Sequence, residues 1–216
     1  RLGYYVDALI ENYLANQCEP WTEEHTEHLF RAKEAFYRAG KQVQGCKYEF
    51  LLSYARAQNA VQEGDYDQAD SFLQIALELR ERLDAPGIIH TQQSLEMEQK
   101  QLRALKEISR HNFGAASRHY EACLQLLGMD SREHLILEMS RVYTHCLSVS
   151  PQDTSEFNRS LTALEQALGK AKDEGLGPNL TALLSLTHSY MILRSNPQFI
   201  QEQRNTDFLD KDIVPR

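Results

Sequence analysis

The segment 23–28 contains the residue types whose spacing best fits a metal site. It reads Glu-Glu-His-Thr-Glu-His. On a helix, His25 and His28 lie three residues apart on one side with Glu24 adjacent, and imidazole and carboxylate groups are ordinary zinc ligands. The HExxH pattern is missing, however, and the helix dipole alone favours acidic residues at a helix start. We therefore expect a solvated helix N-terminus here, with no bound metal or other cofactor.

The motifs of nucleophilic and phosphate-transfer enzymes are missing from the sequence. It contains no GxSxG elbow, no GxxxxGK[ST] loop and no GxGxxG fingerprint. His145 precedes Cys146, but neighbouring residues of a helix point about 100° apart and do not form a dyad. We expect Cys146 to be a buried thiol and the protein to have no enzymatic activity.

A short basic strip is predicted on one helix, where Lys100, Arg103 and Lys106 recur every three residues. Such a strip suits an acidic peptide or a phosphate group. The alternative is a solvated helix on which Glu and Lys alternate. Over the whole chain, 23 Lys and Arg face 31 Asp and Glu, which gives a net charge of −8. This balance disfavours binding to nucleic acid or to anionic lipid.

Composition and length indicate a globular chain that is either one large domain or a short repeat array. It has 216 residues, of which 42% are hydrophobic and 25% charged. No apolar run reaches the roughly 18 to 20 residues that span a bilayer, so we expect no membrane insertion. The four cysteines form no CxxC pair. They predict reduced thiols in a cytoplasmic or nuclear protein. Because the chain begins at Arg1 and not at Met, we expect it to be part of a longer protein.

Helical periodicity dominates the sequence and predicts an all-α fold of eight or nine antiparallel helices. Apolar residues recur at spacings of three and four, and no stretch alternates as a strand would. Thr22 is the predicted N-cap of one helix, Gly40 and Gly45 bracket a break, and Asp153 or Thr154 begins a later helix. After residue 194 the periodicity fades, and we expect the tail 195–216 to be poorly ordered or bound to a partner.

Two helix–turn–helix segments repeat the same pattern, one around residues 62–69 and the other around 109–116. In each, an aromatic residue precedes an alanine by three positions, and a bulky residue and a small residue follow four and seven positions later. Small residues at a helix crossing allow the two backbones to approach closely. The corresponding positions are Ala57, Tyr66, Ala69, Leu73 and Ala76 in the first segment and Ala104, Phe113, Ala116, Tyr120 and Cys123 in the second. Weaker copies are Ser160, Leu164 and Ala167, and Ala32, Ala35 and Ala39.

The turn Gly64-Asp65-Tyr66, with Ala69, Leu73 and Ala76, resembles the tetratricopeptide repeat family. The resemblance covers about residues 46–194, with units at about 46–83 and 95–128 and a weaker one at 131–170. It implies a domain over 1–194 in which antiparallel helix hairpins stack as an α-solenoid. Two features depart from the family: Arg56 and Arg103 replace a preferred leucine, and 116 − 69 gives a spacing of 47 residues in place of about 34. An irregular helical bundle is the alternative.

The resemblance also implies a concave groove lined by the first helix of each unit, which would hold a peptide or a helix of another protein. On this basis the candidate groove residues are Tyr54, Gln58, Gln62, Gln101, Leu105 and His145. The alternative is that Tyr54 and Leu105 belong to the core between helices.

These observations predict a non-enzymatic protein–protein interaction module that binds a peptide or helix in its groove. The alternative function is a structural segment of a larger helical scaffold subunit in a multiprotein complex. Exposed apolar surface on the first or last helix would favour that alternative. A helical enzyme or ligand sensor with a pocket inside the bundle is a third and weaker hypothesis.

Overall fold

The computed structural model describes residues 1–83, 90–127 and 131–195, and in these ranges every regular element is an α-helix. The all-α prediction is therefore confirmed. Apart from Ser195, the predicted tail lies outside the described residues. The nine helices of the described ranges are α1 (Leu2–Ala15), α2 (Glu23–Arg38), α3 (Gln42–Glu63), α4 (Tyr66–Arg82), α5 (Gln92–Ser109), α6 (Phe113–Leu124), α7 (Arg132–Ser148), α8 (Thr154–Asp173) and α9 (Pro178–Ser195).

The chain forms two compact units, Arg1–Lys106 and Glu107–Arg216, and α5 contributes residues to both. Within the first unit, α1 packs on α2, α2 on α3, and α3 on α4. Within the second unit, α6 packs on α7, α7 on α8, and both α7 and α8 on α9. Consecutive helices therefore pack against one another in each unit, as an antiparallel hairpin arrangement requires.

Side-chain caps begin helices α2 and α8 at the positions that the sequence indicates. The Thr22 hydroxyl accepts the His25 backbone N–H at 3.2 Å and caps α2, as predicted. Asp153 accepts the backbone N–H of Glu156 at 3.1 Å, which selects Asp153 over Thr154 as the cap of α8. Each cap satisfies one of the backbone donors that a helix start leaves without a partner.

Gly45 does not belong to the break after α2, contrary to the prediction, because it is a buried residue inside α3. A Cβ atom built on Gly45 would lie 2.5 Å from Cε1 of Tyr37 on α2. The Tyr37 hydroxyl donates to Oε2 of Glu49 at 2.6 Å and contacts Sγ of Cys46 at 3.3 Å, which holds the ring in this place. Glycine is therefore required for the close approach of α2 and α3.

The two predicted repeat units share one turn geometry. Gly64 and the aligned His111 both have left-handed backbone angles, with φ of 78° and 57°. The next residue donates its N–H to the carbonyl five positions earlier, from Asp65 to Ala60 and from Asn112 to Glu107, each at 2.8 Å. This is the Schellman pattern of helix ends, and it confirms that the two turns are equivalent.

The aligned small residues are among the most deeply buried positions of both repeat units. All six are completely inaccessible to solvent: Ala57, Ala69 and Ala76 in one segment and Ala104, Ala116 and Cys123 in the other. The bulky residues at the fourth position, Leu73 and Tyr120, are also buried. The weaker third copy follows the same pattern, with Ser160, Leu164 and Ala167 buried.

Replacing His111 with glycine is expected to stabilise the protein. A non-glycine residue in the left-handed region costs roughly 1–2 kcal/mol. Glycine also gives the unfolded chain more conformational entropy, which cancels part of the gain from removing this strain. We therefore expect His111→Gly to raise the free energy of unfolding by about 0.5–1 kcal/mol. Gly64→Ala, at the aligned position, should change stability in the opposite direction. Urea denaturation measures both, and a loss of stability in His111→Gly would contradict the shared turn.

Ser160→Ala is also expected to stabilise the protein. Ser160 aligns with Ala69 and Ala116, and its buried Oγ has no hydrogen-bond partner among the described residues. Removing an unsatisfied buried hydroxyl should raise the free energy of unfolding by about 1 kcal/mol. The control is Thr144→Val, because the buried Thr144 hydroxyl does donate to the Ser140 carbonyl at 2.9 Å. Thermal denaturation should show the two substitutions acting in opposite directions.

Candidate functional site

The turn between α1 and α2 brings three potential metal ligands together. Cys18 lies in this turn, where its backbone N–H donates to the Ala15 carbonyl at 3.2 Å. Glu24 and His28 are four residues apart on α2 and therefore share a face. One ligand atom from each of Cys18, Glu24 and His28 lies within 4.8 Å of the other two. We refer to these three residues as the Cys18 cluster.

A carboxylate from α1 holds the imidazole of this cluster. Oε2 of Glu11 lies 2.6 Å from Nδ1 of His28, and both side chains are largely buried. Nδ1 donates to the carboxylate in this arrangement, which leaves the lone pair of Nε2 available to a metal ion. Partial burial and, after it, the charge of Glu24 raise the pKa of the Cys18 thiol.

His25 does not join His28, although the sequence places the two histidines on one side of α2. Nδ1 of His25 accepts the backbone N–H of Trp21 at 3.4 Å, and the two rings meet edge to face at 5.8 Å between centroids. Burial, and then the neighbouring His28, lower the pKa of His25. The sequence suggests His25, His28 and Glu24 as candidate metal ligands but favours a solvated helix start. That prediction includes neither Cys18 nor Glu11. The available signal was a cysteine in the turn that precedes a helix carrying Glu and His four residues apart.

Tyr54, a predicted groove residue, lies in the core of the first unit. It is 8% exposed and packs between Trp21 and His90, at centroid distances of 5.6 and 4.3 Å. Burial, followed by the charge of Glu98 and a hydrogen bond to it, raises the pKa of the Tyr54 hydroxyl. Of the two alternatives in the sequence, the core position is the one that the structure shows.

The other candidate groove residues are divided between the two units. In the first unit, Gln62 and Leu105 are exposed, Gln101 is half-buried, and Gln58 directs its amide toward Oε2 of Glu98 at 3.5 Å. In the second unit, the half-buried His145 lies with Nε2 3.1 Å from Oε1 of Glu156. Gln62 and Leu105 therefore offer the most accessible side chains of the candidate set.

Carboxylates from α4 face the predicted basic strip. Nε of Arg103 donates to Oδ1 of Asp70 at 3.2 Å, and the Lys106 ammonium forms an ion pair with Asp67. Lys100 is half-buried. Because Asp67 and Asp70 offset two of the three positive charges, the strip attracts an acidic ligand less strongly than its sequence suggests.

Large apolar side chains form an exposed stripe along α1. Leu2, Val6, Leu9, Ile10 and Tyr13 are between 45% and 77% exposed. Their spacing of four, seven, eight and eleven residues from Leu2 places them on one side of the helix. A different side of α1 packs on α2 through the buried Ala8 and Ala15. We call this stripe of five residues the α1 face.

The last described helix also exposes apolar side chains. Leu186 of α9 is 69% exposed, and Ile192 and Leu193 are each about half exposed. On other sides of α9, Leu184 and Met191 are fully buried in the core of the second unit. Helix α9 is therefore apolar over much of its circumference, which is typical of a helix covered on several sides.

Cys146 is expected to resist alkylation in the folded protein. It is fully buried, its thiol donates to the Ser160 carbonyl at 3.3 Å, and burial raises its pKa to about 11. Since the thiolate is the reactive form, only on the order of one molecule in a thousand is reactive at pH 8. Iodoacetamide at pH 8 should modify the half-buried Cys46 at least about tenfold faster, as measured by peptide mass spectrometry. Equal rates in the native protein, rather than only in urea, would contradict this prediction.

No helix in residues 1–83, 90–127 and 131–195 combines the length and the apolar content needed to cross a membrane.

A surface depression on α8 is lined by residues of that helix alone, between Ser155 and Gln166, and is open to solvent. Such a depression is not the interior pocket that a helical enzyme or ligand sensor would use.

Comparisons with protein-family models, with curated proteins and with solved structures find no match for this chain.

Proposed function

We propose that this chain is a non-enzymatic protein interaction module whose α1 face binds an amphipathic helix of a partner protein. The observation that carries the proposal is the exposure of five large apolar side chains in one stripe. Single exposed apolar side chains are ordinary, but a contiguous exposed apolar patch is typical of a surface that binds a partner. The four thiols fit an intracellular setting, in the cytoplasm or the nucleus.

The geometry of the α1 face favours a helix over an extended peptide as the bound segment. Helix α1 has 14 residues and is therefore about 21 Å long. Along its sides the backbone groups are already hydrogen-bonded within the helix, so α1 has no free edge on which a strand could pair. Side chains that follow the i, i+4 and i+7 rows instead form ridges that fit the grooves of a second helix.

A groove on the first unit is the other surface through which such a module would bind. Exposed Gln62 on α3 and Leu105 on α5, with half-buried Gln58 and Gln101, would contact a peptide there. The resemblance of the sequence to the tetratricopeptide repeat family favours this version, because that family binds peptides in such a groove.

The second candidate function is a structural segment of a larger helical scaffold. It is favoured by the apolar surface of α9, because a scaffold would cover this helix as well as α1. A protein with one binding partner would need only one of the two surfaces to be covered.

Site-specific photo-crosslinking in cells distinguishes these possibilities. A photoreactive amino acid is placed at Val6 or Tyr13 for the α1 face, at Gln62 or Leu105 for the groove, and at Leu186 for α9. Exposed Lys172 on α8 is the control position. We expect crosslinks from Val6 and Tyr13 to map to one apolar helical segment of a single partner.

The other outcomes either assign a different surface or contradict the proposal. Crosslinks from Gln62 and Leu105 alone would replace the α1 face with the groove. Equally efficient crosslinks from Leu186 to a second helix would favour the scaffold. Crosslinking no greater than that of Lys172 at every position would contradict the proposed interaction module.

A further inference from the structure

We propose that Cys18, Glu24 and His28 bind a zinc ion, with Glu11 as the positioning residue that orients His28. Three ligand atoms of three different chemical types converge within 4.8 Å at the α1–α2 turn. The site is distinct from the α1 face and from the groove, and it does not depend on either surface binding a partner.

The convergence comes from two local elements that are each fixed by hydrogen bonds. One turn of α2 separates Glu24 from His28, which places both side chains on one face. Cys18 comes from the preceding turn, where Trp21 has a left-handed φ of 68° and the Thr22 hydroxyl donates to the Glu19 carbonyl at 2.8 Å. The turn therefore returns the chain so that Cys18 faces the first two turns of α2.

The distances are compatible with a tetrahedral zinc ion. With Zn–S near 2.3 Å and Zn–N or Zn–O near 2.0 Å, ligand atoms lie about 3.3–3.6 Å apart. For an atom pair at the 4.8 Å limit, closing the gap requires a shift of about 1.2–1.5 Å. Glu24 is exposed at the start of α2, so rotation of its side chain can bring its carboxylate closer to the other two ligands.

The hydrogen bond from His28 to Glu11 is the arrangement found behind zinc-bound histidines. A carboxylate on one ring nitrogen fixes the tautomer and directs the other nitrogen at the metal. The two atoms are 2.6 Å apart although 17 positions separate them in the chain, so the contact joins α1 to α2. The solvated helix N-terminus expected from the sequence accounts for Glu23 and Thr22 but does not explain this contact.

The set of ligand types favours zinc over other cations. A thiolate and an imidazole suit Zn²⁺, whereas Mg²⁺ and Ca²⁺ select oxygen ligands. Three protein ligands leave one position of the tetrahedron, which a water molecule would occupy. The bound ion would tie the α1–α2 turn to the body of α2.

Cobalt and zinc titration of the metal-stripped full chain tests the site. We expect Co²⁺ to bind at one per chain, with the thiolate charge-transfer absorption and the intense visible bands of tetrahedral coordination. Zn²⁺ should displace it, and competition with a chromophoric chelator gives the zinc affinity. Cys18→Ser should abolish the charge-transfer band, because it removes the only thiolate of the cluster. His28→Gln should keep this band at saturating cobalt but weaken the visible bands, and both variants should weaken zinc binding at least about 100-fold.

The remaining variants separate positioning from ligation. Glu11→Gln should weaken zinc binding about 10- to 100-fold but keep the thiolate charge-transfer band, because it acts through His28. The matched controls are Cys46→Ser and Glu23→Gln, which should bind as the parent does. Circular dichroism of the stripped variants checks that each is folded. Absence of the band in the parent, or zinc binding by Cys18→Ser equal to that of the parent, would overturn the site.

Discussion

Phe50→Ala should lower the free energy of unfolding by about 3–5 kcal/mol, the range for truncating a fully buried aromatic side chain. Phe50 is completely inaccessible in α3 and stacks on Tyr54 at a centroid distance of 6.4 Å. It belongs to the core cluster that includes Leu73 of α4 and Leu95 of α5. The substitution removes apolar contacts from three helices and leaves a cavity that the surrounding helices fill only in part.

Phe30→Ala is the matched control because Phe30 is an exposed phenylalanine of the same unit, on α2. It should cost about 1 kcal/mol, clearly less than Phe50→Ala, because Phe30 is already 40% exposed in the folded protein and its ring contacts the Lys33 ammonium at 4.7 Å. Urea denaturation followed by far-ultraviolet circular dichroism measures both variants. A loss in Phe50→Ala no larger than the loss in Phe30→Ala would show that Phe50 is not part of the core.

Ala69→Leu and Ala116→Leu should each lower the free energy of unfolding by about 1–3 kcal/mol through overpacking. Both alanines are completely buried at aligned positions of the two repeat units. A leucine there adds three carbon atoms where two helices approach closely. Because interiors are already packed at crystal-like density, the neighbouring side chains must leave their preferred rotamers.

The control for overpacking is Ala182→Leu at an exposed position of α9, where we expect a change within about 0.5 kcal/mol. Thermal or urea denaturation of the three variants gives the comparison. If Ala69→Leu destabilises the protein and Ala116→Leu does not, the two segments are not structurally equivalent and the repeat interpretation fails.

Local signals in the sequence were sufficient to predict the helices and the repeat. The cap at Thr22 and the left-handed Gly64 depend on backbone groups within five residues, so residue type alone indicates them. Ala69 and Ala116 were found because the pattern around them recurs in the sequence itself. These features can therefore be recognised from residue types and spacings along the chain.

Features that depend on contacts between helices were not accessible in the same way. Gly45 has the residue type of a turn, and only the nearby Tyr37 ring explains why it lies inside a helix. The partners of the basic strip, Asp67 and Asp70, come from α4, a different helix from that of Arg103 and Lys106. Sequence spacing within one helix carries no information about the charges of its neighbour.

The candidate site shows the same division. The sequence shows that Glu24 and His28 lie on one helix, although it favours a solvated helix start there. Cys18 joins them only through the conformation of the turn that contains Trp21. The burial of Tyr54 likewise depends on Trp21 and His90, which are distant in sequence. In each of these cases the missing information is the path of the chain between helices.

Trp21 makes the first unit optically distinguishable from the second. It is the single tryptophan of the chain, and its ring packs against both Tyr54 and His25. Intrinsic fluorescence excited at the indole band therefore reports on the α1–α2 turn and on the core beneath it, while helices α6 to α9 contribute no tryptophan signal. An emission transition and an ellipticity transition that occur at different denaturant concentrations would reveal that the two units unfold separately, without any added dye.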